Sequence, residues 1–497
     1  MLKYHLSFGL GMGLASHAAA SAVTYPVPAT VPTSAVELDP YPIGPSFEFF
    51  MWPSYMTNIS LTLPCLSRFS ELYGKTAPIR IGGTTQDRAT YDPDLDAYVS
   101  YHVDDPLEAP MTLTYGPKYF DLIPGFGAKT MLGFNRGDNN RTNTFQAALA
   151  AKSKALDYLD LIELGNEPDL YYYYWGKPVA VAPWNETQEG ADAADWAQDF
   201  LDTWGTPSPI LSGGGYALPG DVMPDMPSWP NLKYLITEAY NESVKAGTKA
   251  YCGHLYALSN STVMAEEMNH SKTVSDLSHF PEYVALSAAE GRKYILGETG
   301  FHGLDDPMDA KFGGALQVID KTLWAMSIGI QRLYYHQGTI NQAFFNWWSS
   351  SQVELPFYGS YMAALALHDG DHIVATDPGT GPYAQYVIYR CGKPLKAILI
   401  NTDYYSGTGE RGETTFTLTG LKKGLPALKA LRMTAPSSEV NASSASSDPA
   451  QAATIGGQVF DNENCNLVGE QDLEQVKVVG GRATFVVAAS EALLVYL

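Results

Sequence analysis

Ile162-Glu163-Leu164-Gly165-Asn166-Glu167-Pro168 and Ile295-Leu296-Gly297-Glu298-Thr299-Gly300 are the two stretches on which the reading of this 497-residue chain turns. Each is a short apolar run that ends in a glutamate close behind a glycine, as a strand does when it delivers a carboxylate to the rim of a sheet. Working outward, similar runs occur at Gly44 to Phe49, Pro78 to Ile81, Lys129 to Phe134, Leu159 to Leu164, Pro209 to Leu211, Ala250 to Leu255, Lys293 to Leu296 and Arg332 to Tyr335. These eight strands alternate with longer segments of helical period, such as Asn231 to Ala246 and Phe312 to Ile328, where apolar residues recur at three and four positions. The pattern predicts a closed (β/α)8 TIM barrel, whose active face is the C-terminal rim of the strands. A doubly wound sheet is the competing arrangement, but no glycine-rich dinucleotide fingerprint follows the first strand.

Near residue 365 the pattern changes to closely spaced short strands: Ala384 to Tyr389, Leu395 to Asn401, Thr414 to Leu418, Lys429 to Met433, Val476 to Val478, Ala483 to Val487 and Glu491 to Tyr496. That is an antiparallel β-sandwich. The expected organisation is a leader over 1–22, a proline-dotted segment over 23–40 that joins the sandwich, a barrel over 41–364 and a C-terminal sandwich over 365–497. Ser437 to Asp448, rich in Ser and Ala, reads as a solvated loop.

Lys3, the apolar stretch Leu6 to Ala15 and the small residues Ala18, Ala20 and Ala22 form a secretory leader, with a cut after Ala20 or Ala22. Sequons at Asn58, Asn140, Asn185, Asn241, Asn260, Asn269 and Asn441 point to the same extracellular compartment. Four cysteines allow three pairings there. Cys391 and Cys465 share the C-terminal region and are expected to pair, whereas Cys252 sits in an apolar strand and reads as a buried thiol. The formal charge of −22 disfavours nucleic acid and anionic membranes, which need clustered Lys and Arg. No later segment has the apolar length of a membrane helix, and no motif fixes an oligomeric state.

On a barrel, strands four and seven face each other across the mouth, so Glu167 and Glu298 converge despite their distance in sequence. One protonated and one ionised carboxyl, about 5–5.5 Å apart, is the apparatus that cleaves a glycosidic bond with retention. A lone glutamate at a strand end more often caps a helix or pairs with an arginine; two on these two strands, one preceded by Asn and followed by Pro, favour catalysis. A carbohydrate or glycoconjugate is the expected partner.

With Arg80-Ile81-Gly82-Gly83-Thr84-Thr85-Gln86-Asp87, Gly133-Phe134-Asn135-Arg136-Gly137, Gly165-Asn166-Glu167-Pro168 and Leu296-Gly297-Glu298-Thr299, the chain resembles glycoside hydrolase family 79, the β-glucuronidases and heparanase-like enzymes. The resemblance implies a retaining exo-β-glycosidase, most simply a β-glucuronidase acting on terminal glucuronate or 4-O-methylglucuronate. It makes Glu167 the acid/base, Glu298 the nucleophile and Asn166 a hydrogen-bonding partner of the hydroxyl beside the anomeric carbon. Asp87 and Asn135 either contact sugar hydroxyls or hold the loops after strands two and three. Tyr256, in His254-Leu255-Tyr256, resembles the tyrosine that donates to the nucleophile, and Arg80 either serves that carboxylate or forms a structural ion pair.

Family members that bind glucuronate usually carry Tyr-Gly-Gly shortly after the nucleophile. Here the stretch is Gly300-Phe301-His302-Gly303-Leu304-Asp305-Asp306, in which His302 and Gly303 are the residues able to imitate that site. The departure keeps a neutral sugar open as the alternative substrate. A non-catalytic carbohydrate binder is a third reading, opposed by the two intact glutamates. Tyr171 to Trp175 and Phe344, Phe345, Trp347 and Trp348 are candidates for stacking on sugar rings, with loop packing the expected fate of more than half of them. Tyr334, Tyr335, His336 and Gln337 would line the pocket wall. Gly213-Gly214-Gly215 reads as a loop that lets backbone approach the sugar. No cofactor or metal is expected: the histidines lack close helical spacing, and no phosphate loop occurs.

Overall fold

The computed structural model describes residues 21–205, 208–223, 226, 228–259, 261–303, 306–442 and 451–497. Most of the expected leader, the sequon asparagine Asn260, Leu304 and Asp305, and the Ser/Ala-rich stretch from 443 to 450 lie outside them. Eight parallel strands close the barrel: β1 (Ile43–Glu48), β2 (Ile79–Gly82), β3 (Thr130–Phe134), β4 (Leu159–Leu164), β5 (Leu211–Tyr216), β6 (Thr248–Leu255), β7 (Lys293–Thr299) and β8 (Leu333–Gln337). Met131, Leu161, Ala250, Cys252, Ile295 and Tyr334 fill its interior, so the barrel is a packed core below a polar mouth.

Helices α1 (Thr62–Tyr73), α2 (Arg141–Ala155), α3 (Glu186–Trp204), α4 (His270–Leu277), α5 (Phe312–Ser327) and α6 (Leu355–Leu367) belong to the outer layer. The helix expected over 231–246 is broken: Leu232–Tyr234 passes into a wider π turn over Leu235–Ala239, and a new helix, Glu242–Gly247, starts after Asn241. Asn241 accepts from the Val244 amide at 3.0 Å, and a side chain that caps a helix N-terminus competes with continuation of the preceding one.

The C-terminal part has β9 (His372–Ala375), β10 (Tyr383–Arg390), β11 (Lys393–Asn401), β12 (Glu413–Thr419), β13 (Ala427–Thr434), β14 (Glu474–Lys477), β15 (Ala483–Ala488) and β16 (Glu491–Tyr496). β13, β16, β11, β10 and β9 are successive neighbours in one antiparallel sheet, extended by Val36–Glu37 along β9. The facing sheet holds Ser21–Pro26, β12 and β15, with Ser21–Pro26 parallel to β12. Val387, Leu399, Phe416, Phe485, Leu493 and Val495 fill the space between the sheets.

The expected Cys391–Cys465 bridge does not form. Cys465 pairs with Cys65 on α1, tying the sandwich to the barrel. Cys391 is exposed in the tight turn between β10 and β11, with φ of 50°. Membership of one domain did not place the two thiols together, because a hairpin tip points away from the core. Cys252 is a buried free thiol. Among the described residues, no helix is long and apolar enough to cross a membrane.

Candidate active site

Strand register assembles the mouth. Ser46 on β1 is level with both Arg80 on β2 and His336 on β8, and His254 on β6 is level with Glu298 on β7. Glu298 reaches that level through a bulge. β7 carries one more residue than β6 between the pairs Gly253–Leu296 and His254–Glu298, and the extra residue is Gly297. A bulge re-aims the side chain that follows it, and glycine is required here: a Cβ at position 297 would lie 2.4 Å from Cys252 Sγ.

Arg80, fully buried, is the hub. Its Nη1 donates to Glu298 Oε2 at 2.7 Å and Ser46 Oγ at 2.8 Å; its Nη2 donates to Glu163 Oε2 at 2.6 Å and Asn166 Oδ1 at 2.8 Å. Tyr256 Oη donates to the other Glu298 oxygen at 2.9 Å. Burial opposes ionisation of Glu298, but His336, Arg80 and His254 outweigh it and hold the carboxyl at about 2. Burial raises the Tyr256 phenol far above its ordinary range, so it remains a donor.

Glu167 stands on the left-handed backbone (φ 50°, ψ 55°) between β4 and the short turn Pro168–Leu170. The proline behind it disfavours a right-handed helical conformation, and a non-glycine residue held there costs of order 1–3 kcal/mol. Two hydrogen bonds hold it: the Glu167 amide donates to Gly215 O at 3.0 Å, and the Leu170 amide donates to Glu167 O at 2.9 Å. Its Oε1 lies 3.1 Å from His254 Nδ1. An oxygen of Glu167, a ring nitrogen of His254 and an oxygen of Glu298 all fall within 4.8 Å of one another.

Gly213-Gly214-Gly215 is not a loop but the body of β5. Gly214 and Gly215 have φ of 98° and 80°, and added Cβ atoms would meet Cys252 O at 2.5 Å and Glu163 Oε1 at 3.2 Å. The close approach that these glycines permit is to β6 and to Glu163 beside the acid/base loop.

Several expected sugar contacts have other work. Asp87 is buried and takes four hydrogen bonds, from the amides of Arg136 and Gly137 (2.9 Å each), the Asn166 amide (2.7 Å) and Tyr171 Oη (2.6 Å). It clips the loops of β3 and β4 together. Asn135 donates to Ala89 O and Asp138 Oδ2 and accepts from the Asp138 amide. Gln337 accepts from the Trp347 amide at 2.8 Å and donates to its neighbour's carbonyl, so it shapes the loop after β8. The amides of His302 and Gly303 donate to Asp309 at 2.6 and 2.9 Å, so these two donors are already engaged, whereas both ring nitrogens of His302 are buried without a hydrogen-bond partner among the described residues. Trp347 and Trp348 are core residues, while Phe345 lies beside Tyr256 and His336.

Glu163, Ser46, Glu48 and His254 belong to the site without any sequence motif that marks them, and His336, expected in the pocket wall, reaches the nucleophile. His336 lies 3.1 Å from Ser46 Oγ, 3.2 Å from Glu48 Oε2 and 3.6 Å from Glu298 Oε2. No single segment carries a signal for them: only the register that sets Ser46, Arg80 and His336 on one level and His254 beside Glu298 brings them together. Glu163, Cys252 and His254, and again Glu167, His254 and Glu298, converge closely enough to share an ion. Arg80 already neutralises Glu163 and Glu298, so a dication would compete with a buried guanidinium for the same oxygens.

Residues 385–494 match the glycosyl hydrolase family 79 C-terminal beta domain. A β-glucuronidase of Aspergillus niger is 28% identical over 467 residues, covering 82% of each chain. One of Neurospora crassa is 27% identical over 435 residues, covering 78% of this chain and 76% of the relative. The crystal structure of a 4-O-α-L-rhamnosyl-β-D-glucuronidase from Fusarium oxysporum, in complex with Rha-GlcA, superposes with a TM-score of 0.87 at 34% identity, covering 96% of this chain and 100% of the other.

Proposed function

The chain belongs to glycoside hydrolase family 79, and on that premise we propose that it is a secreted retaining exo-β-glucuronidase that removes terminal glucuronate, free or 4-O-substituted, by double displacement. The observation that carries the mechanism is the approach of Glu167 and Glu298 oxygens to within 4.8 Å, near the separation of a retaining pair and short of the roughly 6.5–9.5 Å that leaves room for a water in an inverting one. Glu298, ionised and held by Arg80 and Tyr256, attacks the anomeric carbon while Glu167 protonates the departing oxygen. Glu167, now a carboxylate, then takes a proton from the water that hydrolyses the glycosyl ester. Asn166, its Oδ1 tied to Arg80, has its NH2 group to offer the neighbouring sugar hydroxyl.

The names of the three relatives support glucuronate as the sugar. The same chemistry on a neutral β-glycoside is the second reading, favoured by the capture of the His302 and Gly303 amides by Asp309. Secretion is supported by the Cys65–Cys465 bridge and by the exposed sequons Asn58, Asn140 and Asn241. Assaying 4-nitrophenyl β-glucuronide beside the β-glucoside, β-galactoside and β-xyloside decides the sugar. Turnover of the glucuronide, abolished in Glu298→Ala, is the expected result; activity confined to a neutral sugar rejects the uronate.

A further inference from the structure

Four consecutive aromatic side chains stand in solvent immediately after the acid/base loop. Tyr172, Tyr173, Tyr174 and Trp175 are 43, 44, 63 and 38% exposed, in a chain whose other large rings mostly lie in the core. Leaving four large rings this exposed costs apolar area that a fold normally buries, and such patches mark binding surfaces. Their backbone is wound as a single π turn, Tyr171–Trp175, a rare form that is frequent at functional sites.

The turn is built rigidly. Tyr171, its buried first residue, donates to Asp87 at 2.6 Å and stacks on Trp184, which donates to Pro168 O at 2.8 Å. Tyr173 stacks on buried Trp229 with ring centres 5.2 Å apart and planes 25° apart. Trp229 donates in turn to Asp169 at 3.2 Å, two residues beyond Glu167. The exposed rings are therefore braced to the segment that carries the acid/base, not to the far side of the mouth.

From this we infer that Tyr172–Trp175 is the binding surface for the leaving group, and that its occupant is a neutral saccharide chain. This rests on the assignment of Glu167 as acid/base: the group that receives its proton departs on its side of the cleaved bond, and the rings follow Glu167 directly in the chain. The C–H faces of pyranose rings pack on aromatic planes, and the tyrosine hydroxyls offer hydrogen bonds to sugar hydroxyls beside them. Consecutive side chains on one helical turn point in different directions, so the rings of Tyr172–Trp175 offer several aromatic faces, more than one aryl aglycone covers. The formal charge of −22 over the whole chain disfavours a long polyanionic occupant.

The test compares two substrates of the same sugar: β-glucuronyl fluoride, whose leaving group is too small to reach the platform, and β-glucuronyl-capped galactotriose. In Tyr174→Ala/Trp175→Ala, kcat/KM for the capped trisaccharide relative to the fluoride falls at least tenfold, mainly through KM. In Tyr174→Phe/Trp175→Phe, which keeps an aromatic ring at both positions, the ratio stays within about threefold of the parent. An unchanged ratio in the alanine variant overturns the inference, as does an equal fall in both variants. Failure of the parent to turn over the fluoride would count against the glucuronidase assignment, whereas turnover without a shift in the ratio counts against the platform alone. Free galactotriose inhibits the parent and loses at least tenfold in inhibition constant in the alanine variant; absence of inhibition of the parent argues against a saccharide occupant.

Discussion

Arg80 Nη1 lies 2.7 Å from Glu298 Oε2, and the same guanidinium holds Glu163 and Asn166 through its other nitrogens. A lysine supplies one point charge and no fork, so Arg80→Lys retains part of the attraction and loses the bridge. The expected loss in kcat/KM is about 10²-fold, as for removal of one well-aimed donor. The direction of the pH effect follows from the cause. Arg80 helps to keep Glu298 at about 2, so weakening that contact raises the pKa and moves the acid limb of the kcat/KM profile to higher pH. An unmoved limb would make Arg80 a structural ion pair only.

Tyr256→Phe tests the other Glu298 oxygen. The ring contact with Phe345 survives and only the hydroxyl is lost. A hydrogen bond to a charged acceptor contributes about 1.5–3 kcal/mol, which corresponds to a fall in kcat of about 10- to 150-fold at little cost in Tm. A drop in Tm with unaltered kcat would remove Tyr256 from the site.

Glu167→Ala separates proton donation from nucleophilic attack. Substrates with poor leaving groups need the proton and nitrophenyl glycosides hardly do, so the first class should lose about 10²–10⁴-fold and the second far less in the glycosylation step. Equal losses on both classes would contradict the assignment of Glu167.

Gly297 carries a third kind of dependence, on backbone. The bulge places Glu298 level with His254, and a methyl group on residue 297 would collide with Cys252 Sγ inside the barrel. Gly297→Ala should cost about 1–3 kcal/mol in stability as an overpacked core position, and lower kcat by displacing the nucleophile. The pair Gly297→Ala/Cys252→Ala, which removes the clashing sulfur, should recover most of both; thermal melts and kcat of the two variants decide it.

The eight strands and the two glutamates were legible because apolar runs ending at a glycine and a carboxylate have few structural uses outside a barrel rim. The side chains around those glutamates were not, because their roles depend on register between strands far apart in sequence. Ser46, Arg80 and His336 share one level, and nothing in any one segment says so. Asp87 and Asn135 read equally well as sugar ligands or loop clips until their partners are seen, Gln337 reads as a pocket-wall residue, and all three hold loops. The Gly213–Gly215 run was misread because glycines that let two strands approach look the same in sequence as glycines that let a ligand in. The disulfide failed for a related reason, since Cys65 and Cys465 are 400 residues apart.

The junction between barrel and sandwich gives a stability prediction with a definite sign. His270, at the start of α4, places Nδ1 2.9 Å from both oxygens of Asp320 on α5 and Nε2 2.9 Å from Asp377, between β9 and β10. Tyr386 on β10 donates to Asp320 at 2.6 Å, and Trp324 packs edge-on against the imidazole. Burial opposes the positive charge, but Asp320 and Asp377 outweigh it and raise the imidazole to about 10, against about 6.5 in the unfolded chain. A group whose folded pKa is raised contributes fully below its unfolded value and loses that contribution as pH rises through the folded one. The stabilisation should therefore be complete below about pH 6.5 and gone above about pH 10. His270→Gln leaves two buried carboxylates without their cation, a loss of about 3–5 kcal/mol at pH 6. The difference in Tm between parent and variant should be widest at pH 6 and shrink toward pH 10. A difference that stays constant over that range would mean that His270 is uncharged in the fold.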